Sequence, residues 1–200
     1  CDRIGIDAQG GGIAVMNALR NRKNITSDEK LILPIQGTVN DDGLDAIDGL
    51  HIIEPIQFAN YTWTAEANHG LRQDMESKSL LFPRFDAVSM VAASAKDRDR
   101  IVKFEIENPG ITARAYDTLE DCSTEIEELK DELTSIVLTK TGTGPNSRDR
   151  WDTPEVKLAN NKKGRMRKDR YSALVIANML ARKKRVAMGI ITSEGGGLLR

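Results

Sequence analysis

The chain reads as an α/β protein, and three observations predict it. Arg3-Ile4-Gly5-Ile6-Asp7 is a short buried-strand pattern, Ala8 to Gly12 a glycine turn and Ile13 to Arg20 a helix, which in that order make an α/β unit. His51-Ile52-Ile53-Glu54-Pro55-Ile56 supplies a second strand, with Pro55 placing it at an edge or ending it. Between Asp117 and Lys140, apolar Leu119, Cys122, Ile126, Leu129, Leu133 and Ile136 recur in steps of three and four, the period of one amphipathic helix.

The remaining elements follow in order. Leu31 to Gln36 is a candidate extended segment and Asn40-Asp41-Asp42-Gly43 a loop. Asn60 to Lys78 is polar, free of Pro and helix-compatible; Leu80-Leu81-Phe82-Pro83 closes it with a short apolar extended stretch, and Asp86 to Glu105 is again helical. The 117–140 helix is too short for a coiled-coil seam and is expected to dock on a sheet, which makes Asp121, Glu125, Glu128, Asp131 and Glu132 a solvated face. Thr141 to Ser147 breaks it into a loop that Trp151-Asp152-Thr153-Pro154 extends. A basic run, Lys162-Lys163-Gly164-Arg165-Met166-Arg167-Lys168, then leads into a last helix from Asp169 to about Arg185, packed through Tyr171, Leu174, Val175, Asn178 and Met179. Residues 1–185 are expected to form one domain and 186–200 a tail.

With 200 residues and 40% hydrophobic content, the chain can bury a core without disulfides. Its cysteines are Cys1 and Cys122 alone, which suits a reducing compartment, and no stretch approaches the roughly 18 apolar residues of a membrane span. The net charge of −1 hides an asymmetry: residues 141–200 carry +9 and the rest −10. A phosphate backbone would be held by the basic third.

Asp7 ends an apolar strand just before a glycine turn, a place where a ligand can approach closely; it either holds a metal or caps the turn. Asp169 follows five cations in seven residues and opens a helix, whose N-terminus favours its ionised form; it is either a metal ligand or a charge-complementing cap. Together they suit phosphodiester cleavage by two divalent ions, which needs carboxylates from separate elements. Hard oxygen ligands point to Mg²⁺ or Mn²⁺, whereas two isolated histidines, His51 and His69, and no Cys pair argue against zinc. Lys162, Lys163, Arg165, Arg167 and Lys168 would hold the DNA strand, or else form a solvated loop. Gly10-Gly11-Gly12 lacks the Lys-Ser/Thr ending of a phosphate loop, and no Ser-His-Asp or Cys-His arrangement is suggested.

The stretches Ile4 to Gly12, Leu80 to Pro83, Glu125 to Thr141, Trp151 to Pro154 and Lys168 to Leu174 together resemble the C-terminal nuclease domain of phage terminase large subunits. The resemblance implies a ribonuclease H-like mixed sheet flanked by helices, and a metal-dependent endonuclease that cuts concatemeric viral double-stranded DNA during packaging. It also implies partners: an ATPase domain of the same protein, the portal and the small terminase subunit, in the host cytoplasm and without a membrane. By motif Asp169 matches the third acid of that family and Asp7 the second, so that the first acid and the opening strands would lie upstream, and Cys1 would mark an intein junction or a truncation. The alternative makes Asp7 the first acid, with Glu54 or Asp86 as the second. Two other functions stay open: a non-catalytic DNA-clamping or portal-docking fragment, and a resolvase-type nuclease of the same fold.

Overall fold

A computed structural model describes residues 2–9, 11–39, 43, 45–110, 118–142, 144, 147–157 and 163–190. The chain is α/β and divides into two compact units, one built from Cys1–Glu76 and Ser172–Arg200, the other from Ser77–Tyr171.

The first unit holds β1 (Ile4–Asp7), α1 (Gly11–Leu19), β2 (Ile32–Pro34), β3 (Leu50–Ile56) and α2 (Tyr61–Glu76). Its sheet has the order β1-β3-β2 with both pairings parallel, Ile4 opposite Ile53 and Ile32 opposite Leu50. Buried Leu33, Ile53, Ile56, Ala67, Leu71, Val175, Ile176 and Met179 make its core. The last helix, α5 (Asp169–Ala187), begins in the second unit and runs through the first. Along β1 it is antiparallel: Lys184 pairs with Asp2, and a Cβ on Gly5 would meet Ile176 Cγ2 at 2.2 Å. Gly5 therefore lets the helix lie close on the strand. Gly189, at φ +69°, ends α5 as the sequence pattern of helix C-termini requires, with Ile190 N donating to Arg185 O and Gly189 N to Val186 O, both at 2.9 Å.

Pro55 corrects one expectation. It sits within the middle strand, opposite Ile6, and not at an edge of the sheet. In a parallel strand the carbonyls alternate in direction: Ile53 O accepts from Ile35 N, and Ile56 O from Ala8 N. Pro55 shares the parity of Ile53, so its missing donor faces the side where β2 has already ended. The Ile35 carbonyl there accepts from Thr38 N instead, at 3.0 Å.

The turn after β1 depends on Gly12. A Cβ at that position would lie 1.6 Å from the Asp7 carbonyl oxygen, whereas one on Gly11 would meet nothing within 4 Å. Gly12→Ala is expected to cost about 1–3 kcal/mol, because the clash is with backbone, while Gly11→Ala stays within error of the parent. Urea denaturation of the two variants side by side checks the contrast.

The second unit holds α3 (Ala87–Glu107), α4 (Leu119–Ser135), β4 (Val137–Thr141), β5 (Arg148–Asp152), β6 (Glu155–Lys157) and β7 (Lys163–Arg165). Asp86 caps α3 through Ser89 N, and Thr118 caps α4 through Asp121 N. Two readings change here. The amphipathic helix packs against α3, with Leu119 N donating to Asp97 Oδ2 at 3.0 Å, where a sheet had been expected to receive it. It also stops at Ser135, because Ile136-Val137-Leu138-Thr139 favours extended backbone, and β4, over residues expected to continue the helix to Lys140, pairs antiparallel with β5, where a loop is expected. Gly142 and Gly144, both at positive φ, lie in the loop that joins them. A second hairpin, β6–β7, carries the start of the basic run.

Among the described residues no helix is long and apolar enough to cross a membrane.

Candidate functional site

Asp7 closes β1, and its Oδ1 accepts from Gln9 N at 3.0 Å, which turns the chain toward α1. The capping role is thus present. Alternation along β1 puts Asp7 on the same sheet face as Gly5, the face that α5 covers. Asp169 stands exposed in the first turn of α5, directly after Lys168. It belongs to the second unit and Asp7 to the first.

The basic run meets a carboxylate at a strand end, where the sequence pattern predicts a loop. Asp152, buried at the end of β5, takes Arg150 Nη2 at 2.8 Å, Arg165 Nη1 at 2.8 Å and Lys168 Nζ at 3.1 Å. Burial pushes its carboxyl pKa up, but hydrogen bonds from Lys168, Arg150 and Thr153 N outweigh that and hold it below the ordinary value. Arg165 also reaches Thr153 O and Glu155, and Lys168 donates to Trp151 O. The structure therefore brings Arg165 and Lys168 together around one acid, while Arg167 points to an exposed position. Lys162 and the side chain of Lys163 lie outside the described residues. Asp152→Asn is expected to cost the second unit about 1.5–3 kcal/mol, the value of hydrogen bonds to a charged group. Trp151, next in sequence, reports it by fluorescence during denaturation.

The acidic face of α4 is also not simply solvated. Glu125, Glu128 and Glu132, spaced to share one side of the helix, all pair with Arg170, and buried Glu132 accepts from Tyr171 N at 2.8 Å. The hydrogen bond that Arg170 donates to Glu125 raises the pKa of Arg170 above its ordinary value, and burial pushes the Tyr171 hydroxyl up to about 12. This clasp fixes the first turn of α5, on which Asp169 lies. The spacing of the three glutamates was a signal in the sequence; their partner, 45 residues from Glu125, was not.

Both ring nitrogens of His51 face backbone carbonyls, Pro34 O and Ile47 O, and so are turned to the fold and not to a metal. Glu54 pairs with Lys183, and Asp86 is engaged as the α3 cap. Among the described residues no three His, Cys, Asp or Glu side chains group as metal ligands. Compared with models of protein families, with curated proteins and with solved structures, the chain matches none.

Proposed function

We propose that this chain is nuclease machinery of the terminase kind: a ribonuclease H-like, metal-dependent endonuclease acting on double-stranded viral DNA during packaging. One observation carries the reading. In the second unit Arg150, Arg165 and Lys168 share Asp152, which leaves a cationic surplus beside exposed Arg167, and the chain passes from there straight into Asp169 at a helix N-terminus. Cations there can position phosphates, and a carboxylate exposed directly after them is available to a metal ion. Asp7, at the carboxyl end of a parallel strand, is the other acid of the proposal.

Two Mg²⁺ or Mn²⁺ ions, when bound, supply an activated water and stabilise the leaving 3′ oxygen. The residues of the chain hold and orient. Asp7 and Asp169 would bind the ions, Arg167 would contact the phosphate backbone, and Arg165 and Lys168, tied to Asp152, would keep the approach rigid and positive. Contacts of this kind read no base sequence. The ATPase domain, the portal and the small terminase subunit are the partners the reading entails, with the host cytoplasm as its setting.

The test is nicking of supercoiled plasmid in Mn²⁺, with and without EDTA, the complete large subunit serving as control. Nicking that EDTA abolishes is expected of the complete large subunit. Salt-sensitive DNA binding by the complete subunit without cutting favours the DNA-clamping alternative and sinks the enzyme.

A further inference from the structure

The first unit has a second feature, independent of the acids. At the carboxyl ends of its parallel strands lies a crevice of about 660 Å³. That is within the roughly 300–1,000 Å³ of small-molecule sites, and the carboxyl ends of parallel strands are where α/β sheets bind ligands.

Its lining is chemically sorted. From α1, Ile13, Met16, Asn17 and Arg20 fall on one face at helical spacing. Opposite them, Pro55 and Trp63 are apolar walls, and Trp63 is held by an edge-on contact with Phe58 at 5.4 Å. Arg20 is half-buried and, among the described residues, its guanidinium has no hydrogen bond or ion pair; neighbouring Arg22, by contrast, is bound to the Ser27 and Glu29 carbonyls. A guanidinium is always charged, so Arg20 offers the crevice a permanent cation. The start of the 16-residue helix α2 reinforces it with the positive end of the helix dipole. Among the described residues the carboxylate that lines the crevice is Glu54, already matched by Lys183. Asn17, Gln57 and Asn60 add three primary amides, each with donors and an acceptor, although the Asn60 oxygen is in use as a cap for Trp63 N.

A cation, apolar walls and amides able to pair with a heterocycle edge together suit a ligand that joins an anion to a flat heterocycle. We infer that the crevice binds a nucleoside monophosphate, its phosphate on Arg20, its base between Met16 and the Pro55–Trp63 wall, and the amides on the base edge. The site is made of the first unit alone and stands whether or not the chain cuts DNA.

Fluorescence tests it directly. The chain has two tryptophans, so Trp151→Phe leaves Trp63 as the only reporter. Titration with thymidine 5′-monophosphate is expected to change that signal saturably, and the nucleotide is expected to raise the unfolding midpoint of the unmodified chain. Arg20→Gln should weaken binding by roughly tenfold or more, the loss of one charge-assisted contact, and Arg20→Lys should restore part of it. Thymidine and inorganic phosphate should each bind at least tenfold more weakly than the nucleotide. An absence of both saturation and midpoint shift overturns the site. Binding that Arg20→Gln leaves unchanged overturns the assignment of the phosphate, and phosphate alone binding as tightly as the nucleotide reduces the crevice to an anion hole.

Discussion

Asp74→Ala is expected to lower the stability of the first unit by about 2–4 kcal/mol, somewhat less than the cost of orphaning a fully buried charge, because the Arg182 and Arg185 side chains are 20% and 25% exposed. The carboxylate is 5% exposed and accepts from Asn178 Nδ2 at 3.0 Å, Arg182 Nη1 at 2.8 Å and Arg185 Nη2 at 2.7 Å. It is the acid through which α2 holds Arg182 and Arg185 of α5. Without it, Arg182 retains Gly70 O and Gln73, while Arg185, whose Nε has no hydrogen-bond partner among the described residues, loses its ion pair. Trp63 lies in the first unit and Trp151 in the second, so single-tryptophan variants followed in urea separate the two transitions. The Trp63 transition should move. A shift of less than 1 kcal/mol would mean that the network adds little beyond the apolar packing.

Acid should act on the same group. Burial raises the pKa of Asp74, but the bonds from Asn178, Arg182 and Arg185 outweigh it, so the folded-state value lies below the ordinary one. A carboxylate depressed by folding stabilises fully above its unfolded pKa, near 4, and loses that contribution as pH falls through the folded value. The first unit should therefore weaken below about pH 4, and Asp74→Asn should flatten that part of the profile.

The other large effect belongs to the proposed chemistry. In the complete large subunit, Asp169→Asn or Asp7→Asn should reduce plasmid cleavage by on the order of 10³, as removal of a group essential to a catalytic unit does. Mn²⁺ binding, measured by calorimetry, should weaken with it. Asn keeps the size of each side chain and removes its charge, so the folding transitions should stay in place. Unchanged Mn²⁺ affinity in both variants would sink the assignment of these two acids, even if cleavage fell.

Several elements were legible because local chemistry specifies them. Ile4-Gly5-Ile6-Asp7 and the glycines after it gave β1 and α1, and the three-four spacing after Leu119 gave α4. The basic run gave way to α5 at Asp169 as read. The hairpins were not legible. All five residues of β4 are exposed, so its strand has no buried face to leave an alternating pattern, and its apolar start continued the period of α4. Without a local mark of that hairpin, nothing near Asp152 in sequence shows that it gathers Arg150, Arg165 and Lys168.

By itself the sequence determined the α/β class, the positions of Asp7 and Asp169 at element ends, and the concentration of positive charge after residue 141. These depend on residues within one turn or one strand of each other, or on a count. What only tertiary structure decided were the partners: Asp152 for three cations, three glutamates for Arg170, Asp74 for Arg182 and Arg185, and the open crevice beside Arg20. Each joins residues from separate elements, many of them tens of positions apart. A charged side chain carries no local mark of whether folding will pair it, bury it or leave it facing a cavity.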